Sequence, residues 1–158
     1  MSCCDGKTAN TTSAEHCPDC GNVGSRVDSI TLKAMLTASA LHRGIPDAPR
    51  FCAIESCPVV YFDRQACVTI GEPDLRVRVH AKHPTSGSVP VCYCFDYTPA
   101  TIEQEIMRTG SSTARATITR EVQAGHCACE VRNPKGTCCL GDVARVEDRL
   151  RQLALAEG

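Results

Sequence analysis

Apolar and polar residues follow one rhythm before residues 82–90 and another after them. Before that stretch, Leu32, Met35, Leu36 and Leu41 recur at helical spacing. They predict a helix over residues 31–42, capped by Thr31 and ended by Gly44-Ile45-Pro46. Arg50-Phe51-Cys52 and Val59-Val60-Tyr61-Phe62 are short β-prone runs. Glu55-Ser56-Cys57-Pro58 lies between them as a turn, so the pair reads as a hairpin. Residues 74–81 alternate, with Leu75, Val77 and Val79 on one side and Arg76, Arg78 and His80 on the other, which predicts a half-exposed strand. Pro84, Gly87 and Pro90 mark residues 82–90 as a turn or linker. Beyond it the period is helical. Thr98-Pro99 opens a helix with Ile102, Ile106 and Met107 as its buried stripe and Gly110 as its end. A second helix spans about residues 112–124, with Ile118 and Val122 inward and Gly125 as its stop. A third, over residues 141–156, places Val143, Val146, Leu150 and Leu153 on one face.

Composition changes this picture in one respect. Of 158 residues, 42% are apolar, yet there is no Trp and only three Phe and three Tyr. A core this short of aromatics needs staples. Thirteen cysteines can supply them, and the odd count argues against a closed disulfide framework. Residues 1–14 are polar and lack the apolar segment of a secretory signal, and no run is long enough to cross a bilayer. The expectation is a reducing, cytoplasmic setting without membrane insertion, where clustered cysteines bind metal. A net charge of −1 gives no electrostatic case for nucleic acid.

The cysteines fall into groups. Cys17-Pro18-Asp19-Cys20-Gly21 has the form of a metal knuckle, since two thiols separated by two residues can hold one ion from a tight turn. Cys52 and Cys57 sit at the strand end and turn of the predicted hairpin. Two such pairs fit a tetrahedral, structural Zn2+ site. Cys3-Cys4 in the polar tail reads as a mobile hook for a soft metal such as Cu+. Cys67, alone before Val68-Thr69-Ile70, reads as a packed cysteine. The largest group runs from Cys92-Tyr93-Cys94, on a strand-like segment that points both thiols to one side, to Cys127-Ala128-Cys129 and Cys138-Cys139. Asn133-Pro134-Lys135-Gly136 between the last two signals a tight turn, so Cys129 returns near Cys138 or Cys139. Four thiolates from these positions suit a 2Fe–2S cluster. The fold class is therefore α+β. A flexible tail over residues 1–15 precedes a small zinc-ribbon-like β part with one helix over 16–84 and a small helical 2Fe–2S domain over 85–158. No nucleotide loop, paired carboxylates or Ser/His/Asp arrangement stands out, which disfavours an ordinary enzyme.

Four stretches carry a resemblance: Cys17-Pro-Asp-Cys20, the run from Phe51-Cys52 through Cys57 to Phe62, Pro90-Val-Cys92-Tyr-Cys94, and the run from Asn133 to Cys138-Cys139. In this order they resemble the N-terminal zinc and 2Fe–2S domain of CopZ-type copper chaperones. The part from Cys92 to Cys139 is also similar to the domain of bacterioferritin-associated ferredoxin. The resemblance implies zinc on Cys17, Cys20, Cys52 and Cys57, and a cluster on Cys92, Cys94, Cys129 and Cys139, with Cys127 and Cys138 as alternate ligands. It implies a metallochaperone for copper or another thiophilic metal, in which the cluster donates one electron to the metal, a non-classical Cu(II) reductase activity. Its partner would be a copper-exporting P-type ATPase or a small heavy-metal carrier. The Met-x-Cys-x-x-Cys loop that such chaperones often carry does not occur in this sequence. The resemblance to the ferredoxin implies a second reading, a small electron-transfer protein without metal cargo. A third reading, from a different class, is a zinc-only structural module.

Overall fold

The structure, a computed structural model, describes residues 14–157; the Cys3-Cys4 hook lies outside them. Four strands form one antiparallel sheet in sequential order: β1 (Ser25–Arg26), β2 (Arg50–Phe51), β3 (Val59–Asp63) and β4 (Val68–Gly71). The expected hairpin is present, with Arg50 opposite Phe62 and Phe51 opposite Tyr61. Strands β1 and β4 are additions to the pattern read from the sequence; β1 has only two residues, too few to show a period.

Every residue of β3 is buried, because both faces of the strand are covered. Val59 and Phe62 pack with Cys17, Cys52 and Cys57, while Val60 and Tyr61 join Leu32, Leu36 and Phe51 in a second cluster. A register irregularity against β4 between Val59 and Tyr61 lets Val60 and Tyr61 serve the same core despite being neighbours.

The predicted first helix is two. Helix α1 (Ser29–Met35) stops at Leu36, which is extended, and Thr37 caps α2 (Ala38–His42) by accepting a hydrogen bond from Ala40 N–H at 3.2 Å. The break exists because Leu36 bridges to Leu75 and Arg76 N–H donates to the Met35 carbonyl at 2.8 Å. The segment predicted as a strand over residues 74–81 is therefore not one. It lies extended over the break in the helices, with 3-10 turns at Glu72–Asp74 and His80–Lys82. Its alternation is real, since Leu75 and Val79 are buried and Arg76 and Arg78 exposed, but helix ends replace a neighbouring strand.

The C-terminal part packs α3 (Pro99–Thr109) and α4 (Ala114–Gln123) against the long α6 (Leu140–Glu157). Thr98 and Thr101 form a reciprocal cap at the start of α3, and Gly110 ends it in the left-handed conformation. Ile102, Ile106, Ala114, Ile118, Val143 and Val146 make the shared core. Two expected core residues are outside it. Met107 is 76% exposed because α6 covers only a narrow stripe of α3. Leu153 is 54% exposed because α6 runs past its neighbours, and its residues 151–157 all face solvent. A one-turn helix not expected from the sequence, α5 (Cys129–Arg132), packs on α1 and joins the two parts.

Candidate metal centres

The first knuckle is built by hydrogen bonds from Cys17 N–H to the Asn22 carbonyl (2.8 Å) and from Gly21 N–H to the Cys17 carbonyl (2.9 Å). The second hangs from β3, with Cys52 N–H on the Val60 carbonyl at 2.8 Å and Cys57 N–H on the Ile54 carbonyl at 3.2 Å. The knuckles meet. Cys17 and Cys57 sulfurs lie 3.8 Å apart and those of Cys20 and Cys52 3.6 Å apart, and all four sulfurs fall within 4.8 Å of one another. A Zn–S distance of about 2.3 Å in a tetrahedron needs sulfurs separated by about 3.8 Å. The residues present fit zinc, and this is a zinc site of four cysteines.

Its acid–base chemistry also suits a cation. Burial works against ionisation of Cys20, but hydrogen bonds from Asn22 and from the Cys52 and Cys57 thiols outweigh it and bring Cys20 down to about 6. Burial and its thiol neighbours push Cys57 well above the ordinary range, and burial raises Cys52. Cys52 and Cys57 therefore hold their protons until a metal arrives, so zinc uptake displaces them.

The C-terminal cysteines converge in a different shape. Cys92 and Cys94 do not lie on a strand. Cys92 bridges to Tyr97, and Asp96, with φ of 58°, closes the chain into a tight turn. That turn still buries both thiols. Cys94 and Cys129 sulfurs are 3.6 Å apart, and Ala128 N–H donates to the Cys94 sulfur at 3.3 Å. Cys92 and Cys139 act on one another: the Cys139 side chain brings Cys92 down to about 7, while Cys92 and burial drive Cys139 far up. Burial and the neighbouring Cys94 push Cys129 up to about 12. Among the described residues, only the four N-terminal cysteines crowd within the span of a single ion. The C-terminal four stand as two pairs. Cys127 is half-buried and Cys138 exposed, whereas Cys129 and Cys139 are buried. His126 faces solvent, bonded to Glu121 at 2.6 Å. Cys67, expected to be packed, is exposed on the β3–β4 turn with φ of 55°, and it is not a free thiol.

Two polar groups tie these centres to their surroundings, and nothing in the sequence pattern marks them. Tyr93, between Cys92 and Cys94, donates from its hydroxyl to the Arg78 carbonyl at 2.6 Å and accepts from His80 N–H at 3.0 Å. Tyr61 reaches from β3 to the Pro134 carbonyl at 2.5 Å, in the loop between the cysteine pairs. Only the fold brings these together.

Residues 14–76 match the zf_CopZ family, described as a zinc binding domain. The X-ray structure of the CopZ N-terminal domain from Archaeoglobus fulgidus superposes with a TM-score of 0.66 at 31% identity, covering 83% of this chain and 96% of that one. The chain belongs to the CopZ N-terminal domain family. The copper chaperone CopZ of Archaeoglobus fulgidus is 34% identical over 123 residues, which are 78% of this chain and 57% of that protein. The chain thus spans a little over half the length of its curated CopZ relative. Within the CopZ family match, the zinc tetrad falls entirely inside residues 14–76, and the paired thiols from Cys92 onward lie outside it. No helix among the described residues is long and apolar enough to cross a membrane.

Proposed function

We propose that the chain is a zinc- and 2Fe–2S-binding metallochaperone for copper, with the cluster on Cys92, Cys94, Cys129 and Cys139. The observation that carries this reading is the burial of these four thiols in one core, with the Cys94 and Cys129 sulfurs 3.6 Å apart and Cys92 and Cys139 coupled to one another. A binuclear cluster needs two thiolates at each iron, where a single ion needs four around one point. A 2Fe–2S cluster held there supplies one electron, the change that takes Cu(II) to the Cu(I) that soft thiolates prefer. The protein's part is to shield and anchor. The Ala128 amide donates to the Cys94 sulfur, and Arg132 braces the turn through the Cys94 carbonyl at 3.4 Å. The exposed Cys138 and half-buried Cys127 stand beside the buried four as acceptors for Cu(I). Residues 16–84 form the zinc domain and residues 85–158 the cluster domain. The setting is the cytoplasm, and delivery is to a copper-exporting P-type ATPase or a small heavy-metal carrier.

Anaerobic purification tests this directly. The expected protein is brown, holds about two irons, two sulfides and one zinc per chain, and gives an EPR signal on reduction. Cys94→Ser and Cys139→Ser lose the colour and keep the zinc, while Cys138→Ser keeps both. A colourless protein with two zincs per chain defeats the cluster. If the reduced, brown protein yields no Cu(I) from Cu(II) in the presence of a Cu(I) chelator, the protein transfers electrons without handling copper.

A further inference from the structure

Lys82 ends the 3-10 turn His80–Lys82, in the segment that leads away from the zinc half of the chain. It is only 9% exposed. Its ammonium donates to the Ile54 carbonyl at 2.7 Å. Ile54 lies between Cys52 and Cys57, and the same carbonyl accepts from Cys57 N–H at 3.2 Å. The ammonium therefore sits on the turn of the second zinc knuckle. Among the described residues no carboxylate forms an ion pair with it. A buried ammonium with a single neutral acceptor is costly unless an anion lies close by. The anion at hand is the zinc centre, because four thiolates around one Zn2+ leave net negative charge.

We propose that Lys82 is a positioning residue of the zinc centre, the internal counter-ion of the tetrathiolate. It holds the Ile54 carbonyl and the Cys52–Cys57 turn in place and offsets the charge of the loaded site. That slows release of the metal, because the loaded site keeps both its charge balance and its turn. It also makes zinc loading a condition for docking the His80–Lys82 turn. His80 in that turn donates from its backbone to the Tyr93 hydroxyl, so the order imposed by zinc extends to the Cys92–Cys94 turn. The proposal rests on the zinc tetrad alone and does not depend on a cluster or on copper.

The test is zinc transfer from the full chain to a chromogenic chelator, followed by stopped flow or in minutes-long traces. Lys82→Met removes the charge and keeps the length, Lys82→Gln removes the charge and keeps a donor, and Lys82→Arg keeps the charge. Circular dichroism checks that each is folded. Release from Lys82→Met and Lys82→Gln should be faster than wild type by about tenfold or more, with Lys82→Arg within a few-fold of wild type. Should the uncharged variants fail to fold with zinc while Lys82→Arg folds and binds it, the charge is again the cause. Equal release rates in Lys82→Met and wild type overturn the proposal. So does a Lys82→Arg protein as impaired as the uncharged ones, since packing and not charge would then be at work. Amide exchange gives a second readout on wild-type protein. The Lys82 and His83 amides should lose protection when zinc is withdrawn, and unchanged protection there overturns the link to the turn.

Discussion

Tyr61 shows how much one polar atom can settle. Its ring is fully buried in the sheet core, and burial drives its hydroxyl above the ordinary range, so it stays a neutral donor. Tyr61→Phe leaves the Pro134 carbonyl unpaired and should cost about 1–3 kcal/mol in urea unfolding; a cost near zero would mean that water replaces the hydroxyl. Asp142 makes a pH-dependent contribution. Burial pushes its carboxyl up, but Lys135 at 3.1 Å and the bond from Arg145 outweigh this and hold it below the usual carboxylate range. A lowered folded-state value means the contribution is complete above the unfolded value of about 3.9 and disappears as pH falls through the folded one. Asp142→Asn should thus be less stable than wild type by about 1 kcal/mol near neutral pH. The gap should close as unfolding is repeated at progressively lower pH below that value. A gap constant with pH would assign the loss to packing.

Among the elements, α1 and the α5–α6 loop fit closely. Gly136 has φ of 75°, and a Cβ there would meet the Thr31 hydroxyl oxygen of α1 at 2.9 Å. Gly125 has a similar φ of 77° but open space around it. Both substitutions to Ala carry the backbone cost of about 1 kcal/mol for the left-handed conformation. Gly136→Ala should cost more than Gly125→Ala by at least about 1 kcal/mol, because the collision adds to the strain. Equal losses in thermal or urea unfolding would show that α1 can shift. The stops and caps of α3 and α4 were readable from the sequence, since Thr98-Pro99, Gly110 and Gly125 act on their own turn of backbone, but Thr31, expected to cap the first helix, lies buried inside α1, which starts at Ser29 after Asp28. The break between α1 and α2 was not readable either. Thr37 suits a cap or a helix interior equally, and Leu75, nearly forty positions away, decides between them. The same neighbours turn residues 74–81 from an expected strand into an extended cover.

For the whole molecule, the two parts are not independent. Helix α1 rests on α5, Tyr61 crosses to Pro134, and Arg149 of α6 donates to the Pro84 carbonyl at 3.0 Å. Zinc therefore supports more than its own ribbon. Withdrawing it with a chelator, or replacing Cys17 with Ser, should melt the sheet and its Cys-lined core, because a closed site contributes folding energy directly. Amides of α5 should lose protection with those of β3, while the core of α3, α4 and α6 keeps more of its own. Loss confined to the knuckles would show that the sheet stands without metal.

The sequence alone determined what depends on near neighbours. Cysteines two residues apart form a knuckle within one turn, capping residues end a helix where they stand, and turn residues bend the chain locally. It therefore specified the four zinc ligands and an α+β chain with helices after residue 90. Only the tertiary structure decided what depends on a distant surface. It chose Cys139 as a buried partner over the adjacent Cys138 and Cys129 over Cys127 two positions before it, left Met107 and Leu153 in water, and set Lys82 against the zinc knuckle. Adjacent residues share every local preference. What separates them is the direction each side chain takes once packing partners from elsewhere in the chain have occupied one side.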